Sequence, residues 1–401
     1  MKLLRSFLDT HAGLFEPGGR LHRLYPVYEA LDTFLFSTDA ETQGSCHIRD
    51  VLDYKRMMIT VVAALVPAVI LALYNTGLQA NRIIAEAGSA AVRQDWHTAV
   101  LNFLAIGNNP HSLLHNLALG AVYFLPVYLV SLAVGGIWEV LFAVVRKHPV
   151  NEGLLVTSLL FPMILPPTIP LWQAALGISF GVVLGKEVFG GVGMNIWNPA
   201  LAGRAFLFFA YPASISGNAV WVAVEGFTRA TPLAQAAEKG MDLTVTWFDA
   251  FVGFIPGSMG ETSALACFIG ALVLIITGIG SWRIMVSVLA GMTAASAFFN
   301  IAGSASNPMF QVPFFWHLVL GGFAFGTVFM ATDPVSAAMT RTGKYIYGSL
   351  IGIIVVLIRV VNPAYPEGMM LAVLFGNTFA PIIDHYVVRQ RIKKRKASYD
   401  Q

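Results

Sequence analysis

The chain has 401 residues, 56% of them hydrophobic and only 12% charged, with a mean hydropathy of +0.67 and a formal net charge of +3. Soluble domains average about 25% charged residues, so this composition excludes a soluble globular protein and describes a membrane protein in contact with lipid, with nothing that points to nucleic acid. Two cysteines, Cys46 and Cys267, exclude a disulfide framework or a cysteine metal cluster within the chain. Any iron–sulfur chemistry therefore belongs to a partner, and no metal site is expected.

Residues 1–55 carry charges throughout and lack the short apolar core of a signal peptide, so they are expected to form a cytoplasmic N-terminal segment. A bilayer-crossing helix needs roughly 20 apolar residues. Ten stretches are candidates: 57–74, 116–145, 153–166, 171–185, 199–211, 262–280, 283–301, 312–331, 345–361 and 368–388. The third, fourth and fifth are short and interrupted by Pro or Gly.

Short cytoplasmic loops carry an excess of Lys and Arg. With both termini inside, twenty of the 25 basic residues fall on the inner side, including Arg204, and four fall outside, Arg82, Arg93, Arg229 and Lys239. Arg359 is left over, inside the ninth stretch. The expected fold is an all-α polytopic membrane protein with about ten transmembrane helices in two inverted five-helix repeats, 56–211 and 262–388. Segment 212–261 between them is then periplasmic, and 389–401 is a basic cytoplasmic tail. Phe180-Gly-Val-Val-Leu is echoed by Phe325-Gly-Thr-Val-Phe, followed respectively by Asn198-Pro199 and Asp333-Pro334. Gly and Pro are common in membrane helices, so chance explains this echo equally well.

Ionisable residues at membrane depth are costly and are functional candidates. Glu139 follows Gly135-Gly136 in the second stretch, Asp333 closes the eighth and Asp384 lies late in the tenth. All three are near the cytoplasmic ends, where their oxygens could meet a hard cation such as Na⁺; the alternative is interfacial pairing with Arg204, Arg341 or Lys344. His111 and His115 have helix spacing but no third ligand and read as structural. Met194-Asn-Ile-Trp-Asn-Pro-Ala-Leu-Ala-Gly-Arg204 offers amides, an indole and a guanidinium that can recognise a planar heterocycle. Phe206, Phe208 and Phe209 follow, and such aromatics are also ordinary lipid- or core-facing residues.

The polar stretch VEGFTRATPLAQ, 224–235, stands out among apolar runs. Thr231-Pro232 followed by good helix formers up to Gly240 predicts a helix with Thr231 at its N-cap and Pro232 at its first position. A helix N-terminus also attracts phosphate through free N–H groups and the helix dipole, so a capping threonine and a phosphate ester are compatible.

Glu225-Gly-Phe-Thr228-Arg229-Ala230-Thr231 resembles the acceptor motif of bacterial flavin transferase, usually Asp-x-x-Ser/Thr-Gly-Ala-Thr. Glu225 stands where that motif has Asp, and Arg229 where it has Gly. The whole chain is similar to the family of the B subunit of the Na⁺-translocating NADH:quinone oxidoreductase. The likeness runs through Phe15-Glu-Pro-Gly-Gly19, Tyr28-Glu29-Ala30, Gly135-Gly136-Ile-Trp-Glu139, Asn195 to Phe206 and Thr332-Asp333-Pro334. The resemblance implies an inner-membrane complex of this chain with five other subunits, moving electrons from NADH to ubiquinone while exporting Na⁺. It further implies FMN joined to Thr231 by a phosphodiester bond, bound riboflavin, and a flavin transferase for maturation. Carried over by position, Gly135, Gly136, Phe206 and Phe208 match quinone or flavin access, and Glu29, Glu139, Asp333 and Asp384 match acids of Na⁺ handling. Asn195 and Asn198 are proposed for the riboflavin neighbourhood.

Two other readings fit the sequence. The related D subunit of the Rnf complex shares the flavin motif and membrane core, without the long polar N-terminal segment. A cofactor-free transporter or channel would share only the two five-span repeats.

Overall fold

The structure, a computed structural model, describes residues 2–15, 18–36, 54–88, 92–93, 95–147, 150, 153–224, 230–362 and 367–399. Glu225 and Thr228 of the polar motif lie outside the described residues. Among the described residues the regular structure is helical throughout. In chain order the helices are α1 (Lys2–Phe15), α2 (Tyr25–Leu35), α3 (Tyr54–Ala87), α4 (Trp96–Phe103), α5 (Leu113–Arg146), α6 (Gly153–Met163), α7 (Leu171–Val183), α8 (Pro199–Ala210) and α9 (Pro212–Ile215). They continue as α10 (Pro232–Lys239), α11 (Trp247–Val252), α12 (Ala264–Ile276), α13 (Trp282–Ala302), α14 (Phe314–Val319), α15 (Phe323–Phe325), α16 (Arg341–Val361) and α17 (Met369–Tyr399).

Five helices, α3, α5, α13, α16 and α17, are long and apolar enough to cross a membrane unaided. The other five expected spans fall on shorter pieces. α6, α7, α8 and α12 have 11 to 13 residues each. The expected span 312–331 is not one helix: α14 ends at Val319, the chain turns at 320–322, and α15 runs into a π-helical stretch, Gly326–Met330. Gly321 and Gly322 both have left-handed φ, +62° and +67°, which breaks the helix where an L side chain would be strained.

Close approach of main chains sets the packing. α3 crosses α5 where Gly77 faces the Asn116 carbonyl and Gly120 faces the Leu73 carbonyl, leaving no room for a Cβ at either glycine. Beside this crossing, Asn81 Nδ2 donates to Asn116 Oδ1 at 2.8 Å, a buried amide–amide hydrogen bond that ties α3 to α5. Within the first set of helices α5 packs on α7 and α7 on α8; within the second, α13 packs on α16 and α16 on α17. The echo between 180–184 and 325–329 joins unlike elements, since the first segment belongs to α7 and its continuation while the second lies in α15 and the π-helical stretch.

Candidate functional site

α10 starts as its sequence dictates. Thr231 is in extended geometry, its Oγ1 accepts from Ala234 N at 3.2 Å, and Pro232 supplies the first helical position. Gly240 closes the helix with φ +70°. The carbonyl of Ala230 accepts from Gln235 Nε2 at 3.1 Å, which ties the end of the polar motif back onto the helix it begins. Thr231 is only 9% exposed and faces a cavity of about 20 Å³, room for about one water-sized sphere, shared with Ser258, Glu261, Gly321, Gly322 and Glu367.

An ionic cluster closes the floor of that cavity. Arg204 is buried, and its Nη1 donates to both oxygens of Glu261 at 3.2 and 3.1 Å while Nη2 donates to Glu367 at 2.6 Å and to Ser258 Oγ at 3.4 Å. The guanidinium thus joins α8 to the residues just ahead of α12 and α17. Arg204 is therefore not an inner-loop cation: its partners lie on the side of Thr231, and nineteen basic residues remain in the inner group. Burial pushes the Glu261 carboxyl above the usual carboxylate range, against the downward pull of Arg204, and Glu367 nearby adds to the rise.

A second cavity, of about 70 Å³, lies where α6, α8, α12 and the end of the π-helical stretch meet. Asn195, Asn198, Asp333, Thr157, Thr332 and Lys186 all line it, so the amides and Asp333 are brought together. Lys186 Nζ donates to Glu139 Oε1, and both residues are buried; Lys186 also pairs with Glu187 at 3.8 Å. Glu139 therefore reaches this cavity through Lys186. Asp333 accepts from Val335 N at 3.2 Å and from Ser336 Oγ at 2.7 Å, fixing the turn that follows the π-helical stretch. Asn198 Oδ1 accepts from Ala200 N and Leu201 N and caps α8, while Asn195 Nδ2 donates to the Trp197 carbonyl at 2.9 Å.

The remaining sequence candidates stand apart. Asp384 accepts from Met339 N, Thr340 N and Thr340 Oγ1 at 2.6, 3.1 and 2.5 Å, holding the start of α16, and lines neither cavity. It pairs with main chain and hydroxyl in place of the basic residues considered from sequence. Glu29 sits on α2, which packs against α5. Gly135 and Gly136 let α5 approach Leu154; a Cβ on Gly135 would also meet Ile178 and Val182 of α7 at 3.6 and 3.7 Å. Phe206 stacks on Phe180 at 4.6 Å and lines an apolar groove of about 1060 Å³ between α8, α16 and α17. Ile178 and Val182 lie on the face of α7 opposite Phe180, so the glycine pair and Phe206 do not share a site. Phe208 packs edge-on against Phe209 at 5.3 Å.

Glu261, Glu367 and Lys186 escape a reading of the sequence, where each is a charge bordering an apolar run; only Lys186 has an opposite charge, Glu187, beside it, and nothing there marks Glu139 as its partner. Arg359 shows there only as the basic residue left inside a span.

A family model described as the NQR2, RnfD, RnfE family matches residues 41–393. The B subunit of the Na(+)-translocating NADH-quinone reductase of Pseudomonas aeruginosa (strain LESB58) is 59% identical over 399 residues, covering 98% of this chain and 99% of its own. The protein of the same description in Chromohalobacter salexigens is 58% identical over 395 residues, and that of Azotobacter vinelandii 56% identical over 400, each across 98% of this chain and 96% and 99% of its own.

Proposed function

The chain belongs to the NQR2, RnfD, RnfE family, and from that premise we propose that it is the B subunit of a Na⁺-translocating NADH:ubiquinone oxidoreductase and carries FMN as a phosphodiester on Thr231. The observation that supports the flavin reading is the cap: Thr231 places its hydroxyl at the N-terminus of an eight-residue helix, the positive end of the helix dipole, which favours a phosphate. Bound there, FMN supplies one- and two-electron redox chemistry. The chain's part is to hold the phosphate at α10 and to exclude water from the side of Thr231 that faces Glu261 and Glu367.

The other assignments follow the geometry. Riboflavin is assigned to the neighbourhood of Asn195 and Asn198, and the apolar groove with Phe206 suits the tail of ubiquinone. Gly135 and Gly136 are assigned to access where they let α5 approach Leu154, and Phe208 where it packs beside Phe209 on α8. Asp333, which lines the cavity with Lys186, and Glu139, which holds Lys186, are assigned to the inner Na⁺ path, with Glu29 and Asp384 as its more distant members. The lysine and arginine distribution favours two inverted five-span sets, 56–211 and 262–388, in the inner membrane, with 1–55 and 389–401 cytoplasmic and 212–261 periplasmic, where a secreted flavin transferase reaches it. The five other subunits of the complex complete the assembly. The D subunit of Rnf is the weaker alternative, because relatives described as the B subunit match 98% of this chain, beyond the 41–393 that the family model covers. A cofactor-free transporter gives Thr231 no role beyond the cap.

Running the purified complex on a denaturing gel under ultraviolet light tests the flavin reading. A fluorescent band at the mobility of this chain is expected, and a dark band from cells that possess the transferase rejects it. For Na⁺, Glu139→Ala and Asp333→Ala are expected to raise the Na⁺ concentration for half-maximal quinone reduction by about tenfold, the equivalent of one lost ligand at roughly 1.4 kcal/mol. An unchanged Na⁺ dependence in both variants removes them from the path.

A further inference from the structure

Arg359 has no role in the function set out above, yet it is fully buried in α16. A buried guanidinium must satisfy its donors. Its Nη1 donates to the His317 carbonyl at 2.9 Å, its Nη2 to the carbonyls of Leu320 and Gly321 at 2.7 and 3.2 Å, and its Nε to the Glu367 carbonyl at 3.2 Å. The first three acceptors belong to the end of α14 and to the break after it, carbonyls that lost their helical partners when the helix stopped. Arg359 therefore replaces the missing turn.

The break so fixed touches the Thr231 site from both sides. A Cβ on Gly321 would overlap Leu233 Cδ2, on the first turn of α10, and would come within 2.9 Å of Arg359 Nη2. A Cβ on Gly322 would come within 2.6 Å of Glu261 Oε1, the carboxylate that Arg204 holds. Contact thus runs in a closed ring: Arg204 to Glu261, Glu261 to Gly322, Gly321 to Arg359, Arg359 to the Glu367 carbonyl, and the Glu367 carboxylate back to Arg204. Leu233, two residues after Thr231 and 1% exposed, is seated against this ring.

The geometry points to Arg359 as a positioning residue for the modified threonine: it locks the Gly321–Gly322 turn against Leu233, and the turn sets where α10 presents the Thr231 hydroxyl. This rests on the reading that Thr231 carries the flavin, so one arm of the test is independent of flavin.

In the assembled complex, Thr231→Cys is introduced with Cys46→Ser and Cys267→Ala, and labelled from the outer side with a membrane-impermeant maleimide. Labelling is expected to speed up about tenfold on adding Gly321→Ala, from the strain of a left-handed alanine and its overlap with Leu233, or on adding Arg359→Met. Arg359→Lys, which keeps some donors, is expected to fall between. With Thr231 present, Gly321→Ala is expected to lower in-gel flavin fluorescence per chain, and Gly321→Ala with Leu233→Ala to restore part of it, because the second change removes the overlapping methyl and leaves the strain of the left-handed alanine. Restoration is not what general destabilisation produces, since two independent losses add. Unchanged labelling with Arg359→Met or with Gly321→Ala, or a double variant dimmer than the single one, overturns the positioning role. A dark unsubstituted chain rejects the flavin reading and leaves the labelling arm to judge the ring.

Discussion

Replacing Thr231 with alanine is expected to abolish covalent flavin on this chain, reducing the fluorescence of its band to background while the chain still accumulates in the complex. The two halves of that expectation have different physical origins. Without the hydroxyl there is no oxygen to esterify, so the loss is complete. Without the cap, Ala234 N loses its side-chain acceptor, which costs about 1 kcal/mol and leaves the remaining contacts of α10 in place. Thr231→Ser separates these effects, because serine caps as well as threonine and offers a hydroxyl to the transferase; it is expected to retain fluorescence. Immunoblotting of co-purified subunits measures accumulation. Persistent fluorescence in Thr231→Ala would move the attachment elsewhere, with Thr228 the nearest hydroxyl in the motif.

Replacing Arg204 with methionine is expected to be the most destabilising single change. It leaves Glu261 and Glu367, their side chains 10% and 18% exposed, beside each other without their cation; breaking a fully buried pair from one side costs about 3–5 kcal/mol, and stranding these partly buried carboxylates is expected to cost about 3 kcal/mol. Arg204→Lys is expected to recover only part of this, because one ammonium cannot reproduce a fork that grips two carboxylates at once. Adding Glu261→Gln and Glu367→Gln to Arg204→Met removes both stranded charges and is expected to recover most of the loss. The temperature at which the purified complex releases this subunit reads all three. If Arg204→Met leaves that temperature unchanged, the ionic cluster holds nothing together.

The elements that are local in sequence were legible there. Thr231, Pro232 and Gly240 announce α10 within ten residues, and Asn198-Pro199 announces the start of α8 in the same way. Each of the ten apolar runs holds helix, because an apolar run at membrane depth has few alternatives. What escaped was long-range. Arg204 meets partners 57 and 163 residues away, and Glu139 meets Lys186 at a separation of 47. No spacing rule encodes such pairs. The loop-charge count misplaced Arg204 because that count assumes every cation sits in water, whereas this one is neutralised within the bundle. The break at Gly321-Gly322 was visible as a pair of glycines but not as a break, since glycines serve equally for close helix contact; only the left-handed φ at both decides.

α17 has a consequence of a mechanical kind. Its 31 residues extend about 46 Å at about 1.5 Å per residue, well beyond the roughly 30 Å of a bilayer's hydrocarbon core. Two residues ahead of its first turn stands Glu367, on the guanidinium of Arg204, and far along it Asp384 grips the start of α16. A single stiff rod is thereby pinned near both faces of the bundle, with Pro381 its one interior interruption of the hydrogen-bond ladder. Pro381 falls between the two pins, so a tilt at one reaches the other only as far as the helix does not bend there, and the environment of Thr231 and the opposite end of α16 are joined through that single joint.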